Sequence, residues 1–393
     1  MRARTYLALV ATLALALLGG CNVGDEPTPA PEVAPGPVSN DEEASEKLGF
    51  PSTATKNTIR VGGGDATSDA AGVATVVFPG TSQSTRPTAV VLVDKDDWQA
   101  GVTGSALAAS PIGAPILVSD GDKLSPVTAD ALKRLNPRGS DLSKDAQVIR
   151  IGSKPARPEG YKTAVIEGKD PYERAAAIDR FFSAAKGRPS KDVIVASGEE
   201  SAYAMPAAAW AARSGDTVLL SKKDELPEAT RKALAEHEKP NIFVLGPEAV
   251  ISPKVEDALK KLGKVERIEG PDPVRNAIEF ARYKKGSFGW NIEAPGFNFT
   301  IAGTDRPLDA AASAALATNG TFAPLLLTDS PDPLPEALEN YFLSVQPGYE
   351  NDDPGSAVYN RVWILGDTSQ VSVKAQARLD QVTQLIPVQA GAP

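Results

Sequence analysis

The sequence predicts an α/β protein made of three copies of one doubly wound parallel-sheet unit, and three recurring landmarks carry that expectation. The first is a strand ending in Gly and Asp: Gly64-Asp65, Gly168-Lys169-Asp170 and Gly270-Pro271-Asp272. The aspartates lie 105 and 102 residues apart. The second is a small-residue helix running into an apolar strand, at 104–120, 205–222 and 310–329. The third is a helix start (124–132, 226–234, 334–342) followed by a strand ending in glycine (147–152, 241–246, 361–366). Self-similarity at a fixed spacing means one supersecondary unit repeated.

Each element has a local reason. The runs "AVVLV" (89–93), "DVIVASG" (192–198) and "NFTIAG" (298–303) are short, β-branched and apolar throughout, as strands covered on both faces are. Alternation of such strands with helices over short links predicts right-handed crossovers and parallel sheets. In "KDPYE", Asp170 suits an N-cap, Pro171 the first helical position and Glu173 the third, a capping box. Asp272-Pro273 and Ser252-Pro253 repeat the cap-then-proline pattern. The opening aspartates thus have a structural explanation ahead of a ligand role.

The amino terminus reads as a targeting segment. Arg2 and Arg4 precede an apolar run from Tyr6 to Leu18, of signal-peptide rather than membrane-spanning length. Leu18-Gly19-Gly20-Cys21 has the form of a bacterial lipobox, with Cys21 the single cysteine. Residues 1–20 are expected to be removed, and lipidated Cys21 to hold the chain on the outer face of the cytoplasmic membrane. Residues 21–55, rich in Pro, Glu, Ala, Ser and Asp, read as a disordered tether. Roughly 335 further residues suffice for two or three domains. The repeats divide them into 56–160, 161–265 and 266–393.

Composition excludes several chemistries. One cysteine leaves no disulfide or thiol catalysis once it is lipidated. Net charge is −9; loss of Arg2 and Arg4 leaves about −11, which argues against nucleic acid as a partner. His237 is the only histidine, in the helical pattern "TRKALAEHEKP" near its carboxyl end, where it complements exposed carbonyls. A His/Cys zinc site is ruled out by count. "RVGGGDATSDA" lacks the spacing of a dinucleotide loop, and no cofactor is expected. A carboxylate-based glycan hydrolase stays open, although no catalytic residue is nominated.

Candidate ligand residues come from the carboxyl ends of strands, where open α/β sheets bind. "DKDDW" (94–98) offers Trp98 to stack on a sugar, with Asp96 and Asp97 accepting from hydroxyls. "SGEES" (197–201) offers Ser197; Tyr203 and Asp309 occupy related places in the other copies. Each has a bland alternative, a capped helix start with its aromatic packed inward. Lys222-Lys223, Lys260-Lys261 and Arg282-Tyr283-Lys284-Lys285 read as solvated surface, or as contacts for an anionic polymer.

Taken together, "VASG" (195–198), "GAPILVSD" (113–120), "LPEATRKAL" (226–234) and "VLGPEAVISPKV" (244–255) resemble the type 2 cell-wall-binding repeats of Gram-positive surface proteins, across nearly all of 57–385. The resemblance implies three Rossmann-like or flavodoxin-like modules about a pseudo-threefold axis. It also implies noncovalent binding of a cell-wall polysaccharide, often an anionic secondary polymer. A monomer is expected, since all three modules lie in one chain. The family's Arg after the opening Asp is replaced here by Ala66, Pro171 and Pro273. The alternatives are an extracytoplasmic solute- or sugar-binding lipoprotein and a protein-binding scaffold.

Overall fold

The computed structural model describes residues 53–318, 321–350, 355 and 357–388. The signal segment, Cys21 and almost all of the tether lie outside the described residues. Among the described residues no helix is long and apolar enough to cross a membrane.

The first copy runs β1 (Thr53–Ala54), β2 (Thr58–Val61), α1 (Ala66–Val77), β3 (Val90–Asp94), α2 (Trp98–Gly104), β4 (Ile116–Ser119), α3 (Pro126–Leu135) and β5 (Val148–Ile151). The second runs β6 (Thr163–Ile166), α4 (Pro171–Lys186), β7 (Asp192–Ser197), α5 (Ser201–Ser214), β8 (Thr217–Ser221), α6 (Glu228–Glu236), β9 (Asn241–Leu245) and α7 (Pro253–Leu259). The third runs β10 (Lys264–Ile268), α8 (Pro273–Arg282), β11 (Asn298–Gly303), α9 (Asp309–Ser313), β12 (Leu325–Thr328), α10 (Glu336–Ser344), β13 (Gly348–Glu350), β14 (Arg361–Leu365), α11 (Val373–Val382) and β15 (Ile386–Val388).

Three sheets result, with strand orders β4-β3-β5-β6, β8-β7-β9-β10 and β12-β11-β14-β2, all parallel; β1 adds antiparallel to β2. The α/β reading from sequence therefore holds, and every residue of the central strand β3 is buried, as two-sided helix cover demands. β13 and β15 form a separate parallel ribbon.

The strand that opens each copy pairs in the sheet of the copy before it. β6 lies beside β5, yet the helix it leads into, α4, packs on β8 and α6 of the next sheet. β10 and α8 repeat the arrangement, α8 packing on β12 and α10. β2 completes the circle: it pairs with β14, from Val362↔Thr58 to Leu365↔Val61, while α1 packs on β4 and α3 of the first sheet.

The alanine-rich helices explain the centre. α2, α5 and α9 touch one another, and Ala204, Ala207, Ala208, Ala209, Ala211 and Ala212 of α5 are fully buried. Small side chains let three backbones approach closely. A Cβ on Gly101 would lie 3.0 Å from Leu308 Cδ2 and 3.1 Å from Ala311 Cβ across the centre. The glycines that end β5, β9 and β14 have another cause. Gly152, Gly246 and Gly366 turn with φ of +82°, +117° and +89°, a region that L side chains avoid.

The caps follow expectation in part. Asp65, Asp170 and Asp272 are all N-caps, accepting from Ser68, Glu173 and Arg275 N–H groups. Pro171 and Pro273 sit where a missing N–H costs nothing. Glu173 reaches back to the N–H of Lys169, one residue before the cap. Ser252 caps α7 by backbone position only; its buried hydroxyl makes no hydrogen bond.

Candidate functional site

The central strands β3, β7 and β11 end in Asp94, Ser197 and Gly303, and each end is fixed differently. Asp94 accepts from the Asp96 and Gly121 N–H groups. Ser197 is fully buried and its hydroxyl accepts from the Glu199 and Glu200 N–H groups, so it shapes the loop instead of facing a ligand. At Gly303 a Cβ would meet Gln370 Oε1 at 2.6 Å and Asp305 Oδ1 at 2.7 Å.

Three residues beyond these ends stand Asp97, Glu200 and Arg306. Four residues beyond the opening aspartates stand Asp69, Arg174 and Asn276. Asp97 and Arg174, and likewise Arg306 and Asp69, face each other where one copy meets the next. At the first junction Asp97 caps α2 and its other carboxylate oxygen pairs with Arg174 Nη2 at 2.7 Å; both side chains are about five-sixths buried. At the junction that closes the circle the polarity is reversed: Arg306 bonds Asp69, and also Asp309 through Nε at 2.9 Å. At the second junction Asn276 is neutral, and the Tyr203 hydroxyl donates to the Pro271 carbonyl at 3.2 Å.

The facing side chain also holds its own turn. Asp69 accepts from Gly63 N–H at 2.6 Å, Asn276 from Gly270 N–H at 3.1 Å, and Arg174 donates to the Gly168 carbonyl at 3.4 Å. In every copy the partner lies six residues back. A Cβ on Gly168 or Gly270 would come within 2.4 or 2.3 Å of a backbone nitrogen of the following helix, so the motif requires glycine. The structural counterpart in the first copy is Gly63 instead of Gly64.

Asp69 and Asp309 have fully buried side chains gathered around one guanidinium. Burial, then the charge of Asp309, pushes Asp69 well above the ordinary carboxylate range. Burial raises Asp309 too, while Arg306 opposes the rise.

Of the nominated residues, Asp97, Tyr203 and Asp309 are thus brought to equivalent junctions, where they make contacts within the protein. Trp98 is half-buried and packs on the main core. Asp96 stays exposed, as do Glu199, Glu200 and Asp305 around the same strand ends. The carboxyl-end surface is therefore acidic. The basic clusters are offset by acids: Lys222 meets Glu225 and Lys260 meets Glu256, both at 2.9 Å. Sequence reasoning missed Asp69, Arg174 and Arg306; their constant offset from the landmarks was the available signal. Among the described residues no cluster of His, Cys, Asp or Glu has the form of a metal site.

His237 differs from its expected role. It ends α6, but its ring turns inward: Nε2 lies 2.9 Å from Asp179 Oδ2 and Nδ1 2.7 Å from the Ser190 carbonyl. Both ring nitrogens face acceptors, and only imidazolium donates from both.

Fold and junctions define a class: three parallel α/β modules closed in a circle by exchanged strands. Comparison with known proteins finds a family likeness in the middle copy and a shared fold along most of the chain. The cell wall binding domain 2 family matches residues 165–256. The amidase enhancer of Bacillus subtilis (strain 168) is 27% identical over 198 residues, half of this chain and 26% of that protein. Two solved structures share the fold. Cwp8 from Clostridium difficile has a TM-score of 0.64 at 21% identity, covering 87% of this chain and 53% of its own. Cwp6 from Clostridium difficile has a TM-score of 0.66 at 18% identity, covering 86% of this chain and 54% of its own. The chain thus spans about half the length of those structures and a quarter of the enhancer. Its resemblance to the type 2 cell-wall-binding repeat family is borne out, by sequence in the middle copy and by fold along most of the chain.

Proposed function

We propose that this is a cell-envelope protein, anchored by a lipid on Cys21 and raised on its tether, that holds cell-wall polysaccharide noncovalently and performs no catalysis. The observation that carries the reading is the threefold recurrence of one parallel α/β unit, in a chain whose middle copy matches a cell-wall-binding family. Three related surfaces on one chain give avidity to weak sites. Asp96, Glu199 and Glu200 offer acceptors for sugar hydroxyls, and the Tyr203 ring a face. Their acidity favours an uncharged stretch of glycan over an anionic one.

Co-sedimentation of the purified chain with cell walls tests this, before and after acid extraction of secondary polymers and across a salt series. Sedimentation that weakens when Asp96, Glu199 and Tyr203 are replaced together by Ala supports the reading. Failure of the folded chain to sediment with either preparation overturns it. A second reading, in which the chain assists a wall amidase, is favoured by the similarity to the amidase enhancer. Stimulation of an amidase by a chain that does not sediment alone would support that instead.

A further inference from the structure

A cleft of about 750 Å³ lies between the second and third copies at the other end of the strands, where β7, β8 and β11 begin. That volume falls in the usual range for small-molecule sites, and the lining is unusual for a surface cleft. Phe322 and Phe297 are 43% and 36% exposed, and Trp290 is half-buried beside them. Arg213 lies over the Phe322 ring, 4.3 Å from its centroid, and Phe322 holds the left-handed φ of +52°, which a bulky residue adopts only under constraint.

The cleft floor is rigid. Trp290 packs edge-on against Trp210 with centroids 5.3 Å apart. The Trp210 indole N–H donates to Asp216 Oδ2 at 2.9 Å, and Ser190 donates to the other oxygen at 2.5 Å. Phe288 stacks on Phe243 of β9 at 3.6 Å. Polar groups meet these rings at the rim. Asp192 is held by the Asn241 amide at 2.7 Å, and the Asn298 amide by the Thr321 carbonyl at 3.0 Å.

The source of the cleft is the aromatic linker that precedes the central strand of the third copy. Fifteen residues, Tyr283 to Phe297, separate α8 from β11, against five between α4 and β7 and twelve, without a tryptophan, between α1 and β3. They carry Phe288 and Trp290 across onto the second copy. The site therefore exists once per chain, unlike the junctions.

We infer that this cleft binds a short uncharged oligosaccharide. A pyranose presents an apolar C–H face and a rim of hydroxyls, which suits exposed aromatic rings edged by a carboxylate, an amide and a guanidinium. Asp192 and Asp216 against Arg213 give no net positive charge to attract an anionic polymer. The site lies on the opposite ends of the strands from the junctions and stands independently of them.

Calorimetry and tryptophan fluorescence on the full chain, with chitotriose, cellotriose and maltotriose as probes, test it. At least one trisaccharide is expected to bind with one site per chain and perturb Trp290 emission. The Phe297→Ala/Phe322→Ala variant should weaken it by at least about tenfold while the far-ultraviolet circular dichroism stays that of the parent chain, which separates lost binding from lost folding. Lys133→Ala, on the exposed side of α3 in the first copy, should leave it unchanged. Absence of binding by all three sugars, or binding indifferent to the double variant, overturns the inference. Wall sedimentation is read separately, so this site can fail while the junction reading stands.

Discussion

The single histidine shows how much one side chain depends on what faces it. Sequence placed His237 correctly at a helix end, yet its ring belongs to Asp179, 58 residues away. Burial opposes its charge, but Asp179 and the Ser190 carbonyl prevail and raise its pKa above that of a free imidazole. A raised folded pKa stabilises most fully below the unfolded value and is lost as pH rises through the folded one. Asp69 acts in the same direction, from a window that opens above the ordinary carboxylate pKa. Denaturant midpoints should therefore fall as pH rises above about 6.5, and the neutral pair Asp179→Asn with His237→Gln should reduce that slope. His237→Ala alone leaves a buried carboxylate unpaired and should cost about 3–5 kcal/mol. The N-cap aspartates, by contrast, were legible because their partners lie three residues away.

Between elements, the junctions use one geometry with opposite polarities. α2 presents an acid to a base on α4, while the turn before α9 presents Arg306 to an acid on α1. Polarity at a junction should thus be exchangeable. Asp97→Arg or Arg174→Asp alone places like charges together and should destabilise by about 2–5 kcal/mol. The combined exchange should recover most of that loss in the melting temperature, less the cap bond that Asp97 accepts from the Ala100 N–H. A double variant no better than the sum of its parts would show that the two residues act separately. The strands and helices were readable from apolar runs, caps and terminal glycines. The pairing across copies was not, since no local pattern states which residue a carboxylate will meet.

At the scale of the molecule, exchange of opening strands makes the three copies interdependent. Arg60 of β2 donates to the carbonyls of Gly366, Asp367 and Val371, more than 300 residues away. Arg267 of β10 donates to the corresponding carbonyls of Gly246 and Ile251 in the preceding copy, 21 and 16 residues away. Such long-range closure predicts one cooperative unfolding transition instead of three. Calorimetry should show a single peak whose van't Hoff and calorimetric enthalpies agree, and Arg60→Ala should shift the whole peak to lower temperature. Three resolved transitions would mean that the copies fold alone.

The sequence by itself determined the elements, their threefold recurrence and the parallel sheets, because each of these rests on short-range periodicity, capping and composition. Only the tertiary structure decided that each opening strand serves the copy before it, that Asp97, Tyr203 and Asp309 spend their polar atoms on junctions, and that a segment of the third copy builds an aromatic cleft against the second. Those outcomes depend on which surfaces meet once the elements are packed. Burial and close approach set that meeting, and neither is written in the spacing of residues along the chain.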